Sequence, residues 1–166
     1  MTRHHSIVRL TLGLLAVLAL AGTAAAGGQE KQVPFRGRLE GLATATPIAP
    51  PFVAVNLEGS GNATQLGRFD VSISLVANAT DGTAVGTYEF TAANGDTLTA
   101  DYTEYFTPTD VPGVFSDVIT ATITGGTGRF AGATGSFVSD RVADHVTGIV
   151  SDSFEGTIST PRRGNN

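Results

Sequence analysis

The sequence predicts one all-β domain, an antiparallel up-and-down β-barrel of about eight strands, and a β-sandwich is the other architecture that the pattern allows. Short segments alternate apolar with polar residues, as half-buried strands do. Glycine, proline, asparagine and aspartate interrupt these segments at intervals of roughly 8–12 residues. No stretch after Ala26 carries the helical period of about 3.6 residues. An order in which the last strand pairs with the first would also remove both exposed edges of the sheet.

The first 26 residues have the features of a secretory signal peptide. Arg3 and Arg9 make the start basic, residues 10–21 are an uncharged apolar run, and residues 24–26 supply the small-residue cleavage pattern. We therefore expect cleavage after Ala26 and an exported protein, extracellular or periplasmic, that is not held in a membrane after processing. The alternative is a short N-terminal membrane anchor, but the run is shorter than the roughly 20 residues that a transmembrane helix needs.

The chain that remains is predicted to be one acidic domain. We expect a flexible segment at residues 27–32, the barrel at residues 33–160 and a disordered tail at residues 161–166. Removing the two arginines of the signal peptide leaves eight basic residues against 15 acidic ones, a net charge of −7. Because a phosphate backbone would be repelled by this charge, nucleic acid is not an expected partner.

The strands follow from the alternation and from the turn residues between them. In the third, Phe69, Val71 and Ile73 alternate with polar residues, which is typical of a half-buried strand. Asn94-Gly95, between two alternating segments, is a strong hairpin signal. Residues 46–51 are rich in proline and predict a turn, and the glycines of residues 59–62 are expected to end the second strand. The predicted strands cover residues 33–43, 52–58, 68–75, 85–92, 98–106, 115–124, 136–146 and 149–159.

The glycine-rich residues 125–135 are the most conspicuous local feature. They match the loose G-x-G-x-x-A form of a dinucleotide-binding loop, which requires a helix directly afterwards. The segment that follows is strand-like, so we expect a wide turn held down by Phe130 and no cofactor. The chain has no cysteine, and His145 is the one histidine beyond residue 26, which excludes thiolate and multi-histidine metal sites.

Three stretches carry a resemblance to known proteins: NLEGSGNATQLGRFD at residues 56–70, FTAANGDTLTA at residues 90–100 and GGTGRFAGATGSF at residues 125–137. They resemble secreted bacterial proteins with an allene oxide cyclase barrel-like domain, and more distantly the plant dirigent proteins. The resemblance implies an eight-stranded antiparallel barrel whose members cyclise or orient reactive intermediates in an apolar cavity. It carries over no catalytic residue, and it makes an oligomer plausible without any residue that demands one.

Side-chain alternation places several polar residues on interior faces near one barrel mouth. Glu104 and Asp117 lie on strands joined by the loop at residues 107–114, so they are expected to be near neighbours, and adjacent carboxylates in a partly apolar site suit acid–base chemistry. Alternatively, Arg141 holds them in a structural ion network, or all of these side chains are a solvated rim. The candidate catalytic residues are Glu104, Asp117 and His145, and the candidate ligand-binding residues are Tyr102, Phe106, Phe115, Arg141 and Asp152.

Three functions remain open from the sequence. The favoured one is binding of an apolar or amphipathic small molecule inside the barrel, because barrels of eight strands can hold one small ligand. Small predicted interior residues would leave room for it: Gly37, Ala100, Ala121 and Gly156. The second is a cyclase or isomerase that acts through the mouth residues, and the third is a non-catalytic structural or surface-interaction module with a packed interior. Whether the chain is an enzyme is left open.

Overall fold

A computed structural model describes residues 31–159 of the 166-residue chain, and these form a closed antiparallel barrel in the order β1-β2-β3-β4-β5-β6-β7-β8. Each strand pairs with the next in sequence, and β8 pairs with β1. The barrel prediction is therefore confirmed, and the sandwich is not what forms. The predicted signal peptide and tail lie outside the described residues. The strands are β1 (Gln32–Ala49), β2 (Phe52–Ala63), β3 (Gly67–Asn78), β4 (Thr83–Ala92), β5 (Thr97–Pro108), β6 (Val114–Gly126), β7 (Thr134–Asp144) and β8 (Ile149–Ser159).

The up-and-down order gives the barrel two distinct ends. The mouth end carries the turns at residues 50–51, 79–82, 109–113 and 145–148. The opposite end, which we call the plugged end because the glycine-rich loop closes it, carries the three remaining turns and both ends of the described segment. No helix within residues 31–159 is long and apolar enough to cross a membrane.

The first two strands run further than the sequence predicted. β1 continues to Ala49, which confines the turn to Pro50 and Pro51, and β2 continues through the glycines that were expected to end it. A Cβ on Gly59 would lie 2.5 Å from the carbonyl oxygen of Glu40 on β1. Glycine inside a strand often marks such a close approach of two backbones. These glycines therefore allow β1 and β2 to pack tightly and do not break the strand.

Aromatic rings fill the middle of the barrel. Tyr88 and Phe90 stack with centroids 5.2 Å apart, and Phe35 lies 5.1 Å from Phe154. Apart from Phe130, which is described below, the buried rings are Phe35, Phe69, Tyr88, Phe90, Tyr102, Phe137 and Phe154.

The expectation that small interior residues leave room for a ligand is wrong at two of the four positions. A Cβ on Gly37 would lie 2.4 Å from the Phe154 ring, and one on Gly156 would lie 2.7 Å from the Cβ of Phe137. Space at these glycines is thus taken by neighbouring aromatic side chains, in keeping with the close packing of protein interiors.

The glycine-rich loop closes the plugged end. A single 3-10 turn (Gly128–Phe130) buries the Phe130 ring completely. The Arg129 backbone N–H donates to the Asp96 carboxylate at 3.2 Å, and its guanidinium donates to the Leu66 carbonyl at 3.1 Å. Gly128 has φ +56°, and a Cβ there would collide with Asp96. The loop is the wide turn expected from the sequence, and it seals the barrel with Phe130.

Candidate functional site

Arg141, near the mouth end of β7, is the centre of a buried polar network. Its guanidinium donates from Nε and Nη2 to Asp152 Oδ2, both at 3.1 Å, and from Nη1 to Glu104 Oε2 at 3.1 Å. Nη2 also donates to the Tyr88 hydroxyl at 2.7 Å. The Tyr88 hydroxyl donates to Asp152 Oδ2 at 3.2 Å, and the Ser139 hydroxyl donates to the other oxygen of Asp152. A buried cation is stable when it is paired and hydrogen-bonded in this way.

This geometry matches the ion-network alternative for three of the candidates. Glu104, Arg141 and Asp152 are all buried and paired with one another. Two carboxylates face one guanidinium, so the network carries an excess of negative charge when both are ionised. Burial and the charge of Asp152 raise the pKa of Glu104, while Arg141 opposes that rise.

Asp117 is the acidic candidate that the network leaves unpaired. It lies opposite Arg141 in the β6–β7 register and is only 3% exposed, and its Oδ1 has no hydrogen-bond partner. Burial and the neighbouring Glu104 raise the pKa of Asp117 to about 7, against the lowering effect of Arg141. A carboxyl with such a pKa is present in both protonation states at neutral pH. It can therefore accept or donate a proton to a bound molecule.

Tyr102 supplies a second polar group without an aligned partner. Its ring centroid lies 4.8 Å from that of Tyr88, and its buried hydroxyl lies beside the Arg141 guanidinium but makes no well-formed hydrogen bond. Burial raises the pKa of the Tyr102 hydroxyl, so it stays protonated and can donate. Buried polar groups are normally hydrogen-bonded, so the free Asp117 and Tyr102 atoms are the unusual feature of this region.

Three aromatic rings lie at the mouth end beyond these polar groups. The half-buried Phe106 and Phe115 rings are 6.0 Å apart, and the imidazole of His145 stacks on Phe115 with centroids 4.1 Å apart at 16°. Phe106 is directly opposite Asp117 in the β5–β6 register. Phe115 and Asp117 lie two residues apart on one strand, so their side chains share a face. We call Phe106, Phe115 and His145 the aromatic rim.

His145 does not reach the buried network. The sequence predicted that β7 continues to Val146, but the strand ends at Asp144 and His145 is exposed in the turn. The Asp144 carboxylate accepts the backbone N–H groups of Val146 and Thr147, and this local bonding stops the strand. Partial burial against Phe115 lowers the pKa of His145.

The structure also adds two residues that were not chosen as candidates. Tyr88 and Ser139 complete the hydrogen bonds around Arg141 and Asp152. Both have the interior parity of their strands, so a hydroxyl at an inward position was the available signal. Within residues 31–159, no group of three or more His, Cys, Asp or Glu side chains is arranged to hold a metal ion.

A large groove lies elsewhere on the described structure. It has a volume of about 1070 Å³ and crosses the outer face of the barrel around Arg38 and Asn62. No side chain of the polar network or of the aromatic rim lines it. Its walls carry both signs of charge: Arg36, Arg38, Arg68, Glu40, Asp70, Asp140 and Glu155.

The comparisons with known proteins bear on the fold. No protein-family model matches the sequence, and no curated protein is similar to it. Among solved structures, the chain is similar to the pterocarpan synthase dirigent protein GePTS1, with a TM-score of 0.59 and 14% sequence identity over 82% of this chain and 89% of that one. At this identity the likeness concerns the fold alone, and the chain has a dirigent-like barrel fold.

Proposed function

We propose that the barrel binds an amphipathic small molecule at its mouth end. The observation that carries this proposal is the buried Asp117 Oδ1, which has no hydrogen-bond partner and lies beside the aromatic rim, because Phe106 is opposite Asp117 and Phe115 shares its face. An ionised carboxylate accepts a hydrogen bond and a protonated one can also donate, so Asp117 suits a hydroxyl or carbonyl group of a ligand. The Phe106 and Phe115 rings offer an apolar surface for the rest of that molecule.

The packed interior sets the depth at which such a ligand lies. Phe90 and Phe137 are fully buried in the aromatic core, so the ligand occupies the mouth and not the barrel centre. Because Asp117 is nearly inaccessible, the rim rings must move apart for the ligand to reach it. The dirigent-like fold supports the proposal, since eight-stranded barrels can accommodate one small molecule.

The binding test uses N-phenyl-1-naphthylamine, an apolar probe with one N–H donor whose fluorescence rises in apolar surroundings. We expect saturable binding that weakens at least tenfold in Asp117→Leu and in Phe115→Ala. The matched control is Val118→Ala, because Val118 is adjacent to Asp117 in sequence but exposed on the outer face. Binding that is equal in all variants, or that is lost only in the control, would contradict the proposal. No binding of this probe or of any terpenoid, fatty acid or polyketide-like compound would favour a structural module with a packed interior.

A second candidate function is an isomerase or cyclase that uses Asp117 as its acid–base group. The pKa of about 7 favours it, because proton transfer is most efficient when the catalytic pKa lies near the working pH. Asp117→Asn separates the two functions, since asparagine keeps an acceptor oxygen but transfers no proton. For any compound that binds and is converted, we expect this variant to retain binding and lose turnover. Unchanged turnover would exclude Asp117 as the acid–base group.

A further inference from the structure

β1 is longer than the strands on either side of it. It pairs with β8 from Gln32 to Leu42 and with β2 from Gly37 to Ala49. Among the described residues, no strand follows β1 on its β8 side beyond the Ala43–Gly148 contact. Residues 44–49 therefore have one hydrogen-bonded neighbour, and their other side, which we call the free edge, extends past the closed part of the barrel. The β1–β2 register shifts at the end of this segment, between Pro47 and Ala49.

The direction of each backbone group along the free edge follows from one hydrogen bond. The Ala43 N–H donates to the Gly148 carbonyl at 2.8 Å, so Ala43 faces β8. In an antiparallel strand, the N–H and C=O of one residue point to the same side and alternate residues point to opposite sides. Ala45 and Pro47 therefore direct their backbone groups to the free edge. Arg36 lies an odd number of residues from Ala43, so its backbone groups point to the β2 side. There its N–H donates to Thr64 Oγ1 at 2.9 Å.

The side chains around the free edge do little to discourage association. Residues 43–49 (ATATPIA) contain no charged residue, although lysine and other charges are the usual protection of exposed strand edges. Ile48 is 60% exposed, and Phe52, next to the same turn, is 46% exposed. An uncharged extended segment with apolar neighbours is a template for strand pairing.

We propose that Pro47 keeps a second copy of this chain from pairing through the free edge. Two identical edges can meet antiparallel about a two-fold axis at Thr46, which sets Ala45 of one copy opposite Pro47 of the other. The Ala45 N–H can then donate to the Pro47 carbonyl. The reciprocal bond cannot form, because proline has no N–H. Half of the central hydrogen bonds are missing, and the two-fold symmetry applies this loss to both copies.

The test compares three variants of the purified protein by sedimentation velocity over a range of concentrations. Pro47→Val restores the donor, so its mass is expected to approach twice that of the unaltered chain as concentration rises. Thr46→Val is the matched control, because it adds a valine at the next residue but no donor. Adding Ala45→Pro to Pro47→Val removes a donor from the same edge, and this double variant is expected to regain the unaltered mass.

Amide hydrogen exchange locates the contact. In Pro47→Val, the amides of residues 45 and 47 are expected to become protected at concentrations at which the mass doubles. The proposal is overturned if Pro47→Val has the mass of the unaltered chain at every concentration, or if Thr46→Val associates equally. Should circular dichroism show that Pro47→Val does not fold, Pro47→Ala adds the same donor with a smaller side chain and is judged by the same outcomes.

Discussion

Replacing Asp117 with asparagine is expected to abolish one large part of the pH dependence of stability. In the unfolded chain, this carboxyl loses its proton near the ordinary pKa of 3.8, whereas in the folded barrel it keeps the proton up to a pKa of about 7. Between these values the folded state binds more protons than the unfolded state, so the free energy of unfolding falls as pH rises. Asparagine resembles the protonated carboxyl in shape and carries no charge at any pH.

The magnitude follows from the same two pKa values. Each unit of difference corresponds to about 1.4 kcal/mol, so deprotonating buried Asp117 costs about 4 kcal/mol above pH 7. At pH 5 only part of this cost is present. We therefore expect the stability advantage of Asp117→Asn over the unaltered protein to grow by about 3 kcal/mol between pH 5 and pH 8. Because Asp117 and Glu104 repel each other when both are ionised, the comparison reports the titration of Asp117 together with its effect on Glu104.

Urea unfolding at a series of pH values measures this difference directly. The matched control is Asp110→Asn, which removes an exposed carboxylate from the β5–β6 loop, where there is no burial penalty to relieve. Its stability curve is expected to run parallel to that of the unaltered protein. A parallel curve for Asp117→Asn as well would mean that Asp117 is ionised and solvated in the folded barrel, and the proposed ligand contact would lose its basis.

Three further variants test the polar network around Arg141, the Phe130 ring at the plugged end and the aromatic rim. Arg141→Met leaves Glu104 and Asp152 buried without their cation, so urea unfolding at pH 7 should show a loss of about 3–5 kcal/mol, and a loss under 1 kcal/mol would show that water reaches the network. Phe130→Ala should cost about 3–5 kcal/mol because its ring is fully buried in the plugged end; an unchanged melting temperature would show that the plug does not stabilise the barrel. His145→Ala should cost only about 0.5–1.5 kcal/mol, the value of one aromatic pair, and a larger loss in calorimetry would place His145 among the core residues.

Alternation and turn chemistry were sufficient to predict most of the fold. The period of two in β3 and the Asn94-Gly95 turn identify their strands because each is a local property of the backbone. The glycines of β2 were wrongly predicted to end the strand because the sequence shows only such local properties. Glycine marks a turn in most sequences, and only the neighbouring β1 backbone shows that Gly59 permits close packing.

The candidate site could be predicted as a set of inward positions but not as a set of contacts. Parity placed Glu104, Arg141 and Asp152 on interior faces, and they are buried there. Which carboxylates Arg141 engages depends on side-chain reach across three strands, so the sequence could not separate paired Asp152 from unpaired Asp117. His145 lies at the predicted mouth but not on an interior face, because a local Asp144 turn ends β7 two residues early.

The closure of β8 on β1 brings the two ends of the domain together. Gln32 pairs directly with Ser159, so the first and last strands begin and end side by side at the plugged end. Because each strand pairs with two neighbours, the chain could be opened at another turn without loss of a strand pair. A circular permutant of residues 32–159 that joins these two positions by a short linker and opens the exposed β3–β4 turn would keep every strand pair, and its new ends would lie at the mouth end. Gln32 and Ser159 therefore lie at the end of the barrel opposite to Asp117 and the aromatic rim.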